Sequence, residues 1–210
     1  MPNPSPSAKD SDRSFRLGSP LAGFLSYLVP GLGQMYQGRI GKGLLFFVCL
    51  YGLFFYGMLL GKGEARAGDV TYTVSSNVYL PDTADKNNAW GMPRLLANLY
   101  NRPQYAGQFW IGIAAWPAVW QYNTHGDVTD DDLRNDEARG DAVFGNFERT
   151  PPDVVINELQ RKGDKTWDLA WVYTVVAGVL NVLVIYDAFS GPLFIVGGEN
   201  AGPAKGSVPS

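Results

Sequence analysis

The stretch "LVPGLGQMYQGRIGKGLLFF", Leu28 to Phe47, puts a Gly- and Pro-rich segment between two of the most apolar runs of the chain. Pro30 lacks a backbone donor and tends to end or kink a helix. Gly31 and Gly33 permit tight backbone geometry that a Cβ resists. The polar residues Gln37 to Lys42 include two cations, Arg39 and Lys42, suited to the headgroup level of a bilayer. The segment therefore reads as the turn of a transmembrane helical hairpin over 20–60. Glycines beside Lys42 also raise a phosphate cradle, but the spacing is neither G-x-x-x-x-G-K-[ST] nor G-x-G-x-x-G, and no strand precedes it.

Working outward, two apolar blocks decide the class. Gly43–Leu60 is uncharged, and Leu169–Phe189 carries one charge, Asp187, near its far end. At 1.5 Å per residue the second spans about 32 Å, close to the ~30 Å of a hydrocarbon core. Neither shows the polar stripe of a water-facing helix. Both read as transmembrane helices. The runs 21–36 and 109–122 are shorter and contain Pro30 and Pro117; each either spans or forms a re-entrant or interfacial segment, and spanning is the expectation. The fold class expected is an all-α integral membrane protein with about four transmembrane or membrane-embedded helices, an N-terminal Gly/Pro-turn hairpin and two polar extramembrane connections.

The motif Gly31-x-Gly33-x-x-Tyr36-x-Gly38-Arg39-x-Gly41-x-Gly43 between apolar helices resembles the two-transmembrane-helix domain family. It departs from that family at Gln34-Met35, where a charged-plus-aromatic pair commonly precedes the tyrosine. The pairing of "VPGLGQMYQGRIGKG" with "WDLAWVYTVVAGVLNVLVIYDAFSGP" is similar to an uncharacterised family of bacterial membrane proteins, a domain of unknown function. That resemblance implies the architecture and a bacterial inner-membrane location, and it implies no activity.

The remaining segments arrange themselves around the membrane. Residues 1–19 and 191–210 are Pro-, Gly- and Ser-rich, a composition that predicts flexible tails. No cleavage site of small residues follows the first apolar run, so a membrane anchor is expected rather than a signal peptide. In the connection 61–108, Val70, Tyr72 and Val74 alternate with threonines as a strand does, with Val78-Tyr79-Leu80 as the expected partner. Pro93 starts a short helix through Tyr100, expected at the membrane surface. The connection 123–166 holds an acidic cluster over 127–141. No register supplies both the Gly and the Glu of a calcium loop, so a solvated helix capped by Thr129 and stopped at Gly140 is expected. Asp153–Arg161 reads as another short amphipathic helix.

The last helix, 167–190, carries the most informative polar residues. Trp167, Trp171, Thr174, Gly178, Asn181 and Ile185 share one face, and small or hydrogen-bonding residues on such a face let helices approach closely. Gly57-x-x-x-Gly61 is a comparable close-approach site. Asn181 either bonds a neighbouring helix or lines a polar cavity. Asp187 is expected to pair with Arg39 or Lys42 if those ends lie on one side of the membrane; under four spans they do not, and Arg13, Arg16 or Lys62 become the partners. Trp110, Trp120, Trp167 and Trp171 sit where interfacial aromatics belong.

Function is bounded mainly by what is missing. The net charge of −3 supplies no basic field, so no nucleic acid is expected as partner. Cys49 is the only cysteine and His125 the only histidine, which excludes an intrachain disulfide and a multi-histidine metal site. No catalytic residue, cofactor or metal is expected. The expected partners are the lipid bilayer and either another membrane protein or further copies of the chain. A non-enzymatic scaffold is the first expectation and a small transport or channel subunit the second, because proline-broken segments, Asn181 and Asp187 lie at or near membrane depth. Under four spans the Lys and Arg residues near helix ends divide evenly between the two sides, so charge gives no orientation. Cytoplasmic termini are the expectation for an anchor of this kind.

Overall fold

The computed structural model describes residues 19–67, 70–81, 93–124, 144–161 and 165–191. The first helix, α1 (Pro20–Leu28), begins where Ser19 Oγ accepts the Ala22 N–H at 3.2 Å, with proline at the first helical position. It ends two residues before Pro30, which forces Val29 into extended backbone (φ −139°, ψ 119°). Gly31 (φ 83°) then reverses the chain into α2 (Leu32–Tyr36), and Gly38 (φ 82°) reverses it again into α3 (Ile40–Leu60). In place of one arm over 21–36 there are thus two short helices folded back on each other. Gly33 holds them together: its Cα lies against the Ala22 carbonyl, and its N–H donates to Ser26 Oγ at 3.1 Å.

After α3, strands β1 (Gly63–Ala67) and β2 (Val70–Val74) pair antiparallel, from Gly63 opposite Val74 to Ala67 opposite Val70. The expected strand at 70–74 is present, but its partner is 63–67 rather than 78–80. The reason is burial: Val78, Tyr79 and Leu80 are almost wholly inaccessible and face the protein interior. The sequence Gly-Glu-Ala-Arg-Ala alternates small with charged residues but has no β-branched or aromatic side chain by which its strand could be recognised.

The helix expected after Pro93 is α4 (Arg94–Asn101). It leads through Arg102 into α5 (Pro103–Phe109), a 3-10 turn at Ile113–Ala115 and α6 (Trp116–Thr124). The expected single segment 109–122 is broken at Gly112, whose backbone (φ 89°, ψ −137°) suits only glycine. Tyr105 Oη of α5 donates to the Ala115 carbonyl of the 3-10 turn (2.7 Å), and Asn98 Nδ2 of α4 donates to Tyr122 Oη of α6 (2.9 Å). The acidic cluster at 127–141 lies outside the described residues. The expected helix near 153 is α7 (Asp153–Arg161), and α8 (Lys165–Ser190) is the longest element.

Helices α3 and α8 pack antiparallel, because Gly57 near the end of α3 meets Ala170, Tyr173 and Thr174 while Lys42 near its start meets Asp187. Both, at 21 and 26 residues, are long and apolar enough to cross a membrane. The α1–α2 turn lies against the Asp187 end of α8, and α5 runs along α8 from Arg102 at Trp171 to Trp110 at Asn181. One core runs between them, with Leu50, Phe54 and Met58 of α3, Val78, Leu80, Tyr105 and Ile111 at its centre. A second cluster joins the hairpin to α7 and α8 through Tyr72, Val74, Val155, Leu159 and Trp167.

Candidate functional site

The polar residues buried along α8 form a seam, and it runs from one end of the helix to the other. At the first end Asp187 accepts from Lys42 Nζ at 2.7 Å and lies 3.2 Å from Arg39 Nη1. Gln34 Nε2 donates to the same carboxylate at 3.2 Å and to the Val184 carbonyl at 2.8 Å, and Gln37 Nε2 donates to the Ala188 carbonyl. The hairpin turn and the end of α8 therefore share one end of the molecule. Lys62 lies at the opposite end of α3, so Asp187 has the partners expected when those ends coincide.

One step inward, Ser26 Oγ donates to Gln34 Oε1 at 2.9 Å. Asn181, fully buried near the middle of the apolar run, donates through Nδ2 to the Ser26 carbonyl (3.1 Å) and to the Trp110 carbonyl (2.8 Å). One amide thus satisfies orphan carbonyls at the tips of both turns, which is what chain breaks inside an apolar core require. Gly112 lies against the Tyr27 and Leu28 carbonyls at the same junction. Gly178 of α8 is packed on the Gly107 carbonyl of α5, again without space for a Cβ.

At the far end Gln108 Nε2 (2.7 Å) and Asn77 Nδ2 (3.3 Å) both donate to Thr174 Oγ1, which in turn reaches the Ala170 carbonyl. Gly57 gives α3 its close approach to Thr174, while Gly61 packs on the Asn77 side chain rather than on α8. Beyond this the Arg102 guanidinium is stacked on Tyr79 and Trp171, 3.3 and 4.3 Å from the ring centroids.

The residues singled out in the sequence are placed unequally. Gly31, Gly33 and Gly43 lie where the backbones touch, and Gly43 faces Gly31 and Met35. Pro30 is buried at the tip. Tyr36 is partly exposed, and Gly38 serves the turn through its positive φ in open space. A Cβ at Gly41 would meet no other part of the structure within 4 Å, so no close approach depends on it. Sequence reasoning missed Ser26, Gln34, Asn77, Gln108 and Gly112. Gln34 had a signal, as the only amide inside the run 21–36.

Beside the tip junction lies an open, mostly apolar groove of about 700 Å³, lined by Tyr27, Phe109, Ile113, Trp116 and Pro117 together with the polar Asn123 and Thr124. Among the described residues no group of three His, Cys, Asp or Glu side chains could hold a metal ion.

Fold and site together define a mostly helical protein built on two helices long and apolar enough to cross a membrane, with a small two-stranded sheet beside them. Residues 21–201 match the family described as "Family of unknown function (DUF6677)", and the chain belongs to that family. No curated protein and no solved structure shows significant similarity to it.

Proposed function

We propose that this is a multi-pass protein of a bacterial inner membrane, in which α3 and α8 span the bilayer and α1–α2 and α5–α6 are re-entrant turns from opposite faces, and that its role is that of a non-enzymatic scaffold or assembly component. The observation that carries this reading is the Asn181 amide, which joins both turn tips and closes the seam between them. A rigid, internally bonded bundle whose outer face is apolar suits assembly with lipid and with other membrane proteins or further copies of the chain. Under this topology Lys9, Arg13, Arg16, Arg39, Lys42 and Lys205 share the face of the termini, while residues 61–165 form one long, acid-rich region opposite. Positive charge in short segments near span ends favours the cytoplasm, and long regions cross regardless of charge, so the termini face inward.

A conduit for a small solute is the second reading. It is favoured by broken helices that meet at mid-depth and by the buried carbonyl oxygens of Asn181, Gln108 and Asn77, which accept no hydrogen bond among the described residues.

The topology is tested by single cysteines in a Cys49→Ala background. With re-entrant turns, Lys62→Cys and Thr124→Cys label from one side and Gly38→Cys from the other. With four spans, positions 38 and 124 label together. The role is tested by native-size analysis in mild detergent with mass spectrometry of co-migrating proteins. A defined partner supports assembly. Solute flux in liposomes that is lost in Asn181→Ala, with insertion intact, supports the conduit instead.

A further inference from the structure

Outside the seam, the segment 144–150 lies as a strap across α6. Gln121 Nε2 donates to the Gly145 and Phe147 carbonyls at 2.9 and 3.2 Å, and Ser75 Oγ donates to the Asn146 carbonyl at 3.1 Å. The strap is closed by Glu148. Its side chain is 1% exposed, and Oε2 accepts the Ala118 N–H in the first turn of α6 at 3.0 Å. Its Oε1 is buried and has no hydrogen-bond partner among the described residues. Its backbone has φ 57°, the only positive φ at a non-glycine among the described residues. A left-handed backbone is unfavourable for a residue with a Cβ, so the strap holds this side chain inward against a conformational penalty.

The groups around it do not compensate a negative charge. From α5, Tyr105 faces it, with its hydroxyl already donated to Ala115. From α6 come only the Ala118 N–H and the neutral Gln121. Arg149 follows in the chain but acts on Tyr72 of β2. No ion pair joins Glu148 to a cation among the described residues. A helix N-terminus and one N–H favour the ionised form, yet burial outweighs them and pushes the carboxyl well above the ordinary carboxylate range.

We propose that Glu148 is a proton-binding site that works as a latch: protonated, its carboxyl holds the 144–150 strap against α6, and on releasing its proton to solvent the carboxylate leaves for water and the strap lifts. Ionisation without movement would leave an unpaired charge in a dry site, a cost that lifting the strap into water relieves. Because α6 forms one arm of a turn whose tip touches α1, the latch bears on the tip junction as well.

Hydrogen–deuterium exchange on the full chain in lipid nanodiscs tests this, with rates corrected for intrinsic pH dependence. The expected result is that amides of α6 around Ala118 and Gln121 lose protection as pH rises, while those of α3 and α8 keep theirs. Glu148→Gln, which cannot ionise, is expected to keep α6 protected throughout. Protection of α6 that does not change with pH in the unaltered protein would overturn the proposal, and that series decides the matter even if the variant fails to fold. So would a Glu148→Gln protein that opens with the same pH dependence as the parent.

Discussion

Gly112 lies directly against the Tyr27 carbonyl, so the two folded-back turns touch backbone to backbone with no space for a single methyl group between them. The contact exists because Gly112 has a backbone conformation closed to other residues and because Asn181 holds the carbonyls on either side.

Gly112→Ala is expected to push the tips apart. An unfavourable backbone region costs about 1–3 kcal/mol before any clash is counted. Loss of thermal stability in detergent, with loss of a cross-link engineered between the tips, is the outcome to look for; an unchanged cross-link would show that the tips do not depend on this glycine.

Asn181→Leu removes one amide and leaves the Ser26 and Trp110 carbonyls without their donor. Stranding buried acceptors costs about 1–3 kcal/mol, so unfolding should shift by that order. A shift of a few tenths would mean that another donor takes over.

Gly57 and Gly52 form an internal control on α3. Gly57→Ala collides with Tyr173 and Thr174 and should separate α3 from α8. Gly52 faces open space, and alanine there should be neutral or stabilising by about 0.5–1 kcal/mol through helix propensity. Equal effects at both positions, measured by unfolding in detergent, would contradict the packing described.

Asp187→Asn loses the pairing with Arg39 and Lys42, but the side chains involved are 25 to 38% exposed. Exposed pairs contribute up to about 1 kcal/mol and are screened by salt. A small loss of stability at low salt that fades at high salt is expected, rather than a failure to insert.

Tyr72 has its hydroxyl pushed up from 10.0 to about 12 by burial, partly offset by Arg149. A raised native value means that the neutral form is favoured by the fold. Its contribution is present below the ordinary tyrosine value and is lost as pH rises through about 12. Ultraviolet titration should show a late tyrosinate step that Tyr72→Phe removes; a normal titration would place the ring in water.

Much of this was legible in the sequence. The two long helices follow from uninterrupted apolar composition, and the packing seam from the spacing of Thr174, Gly178 and Asn181. Pro30 and Gly31 marked the break, yet their presence could not say whether the chain continues across or turns back, because that depends on Gln34 and Asp187 meeting some 150 residues apart. Gly112 gave no signal, since a lone glycine in an apolar run has many explanations. Glu148 gave none either, because burial of a loop carboxylate is decided by the strap around it.

The position of the seam has a consequence for synthesis. Ser26, Gln34, Arg39, Lys42, Asn77, Gln108 and Trp110 all leave the ribosome before the helix that binds them. Until α8 is in place, two broken turns carry unsatisfied carbonyls and a pair of cations lacks its carboxylate. The buried core is therefore completed only by α8, and a chain cut before Thr174 would present quality-control proteases with a substrate rather than a partial fold.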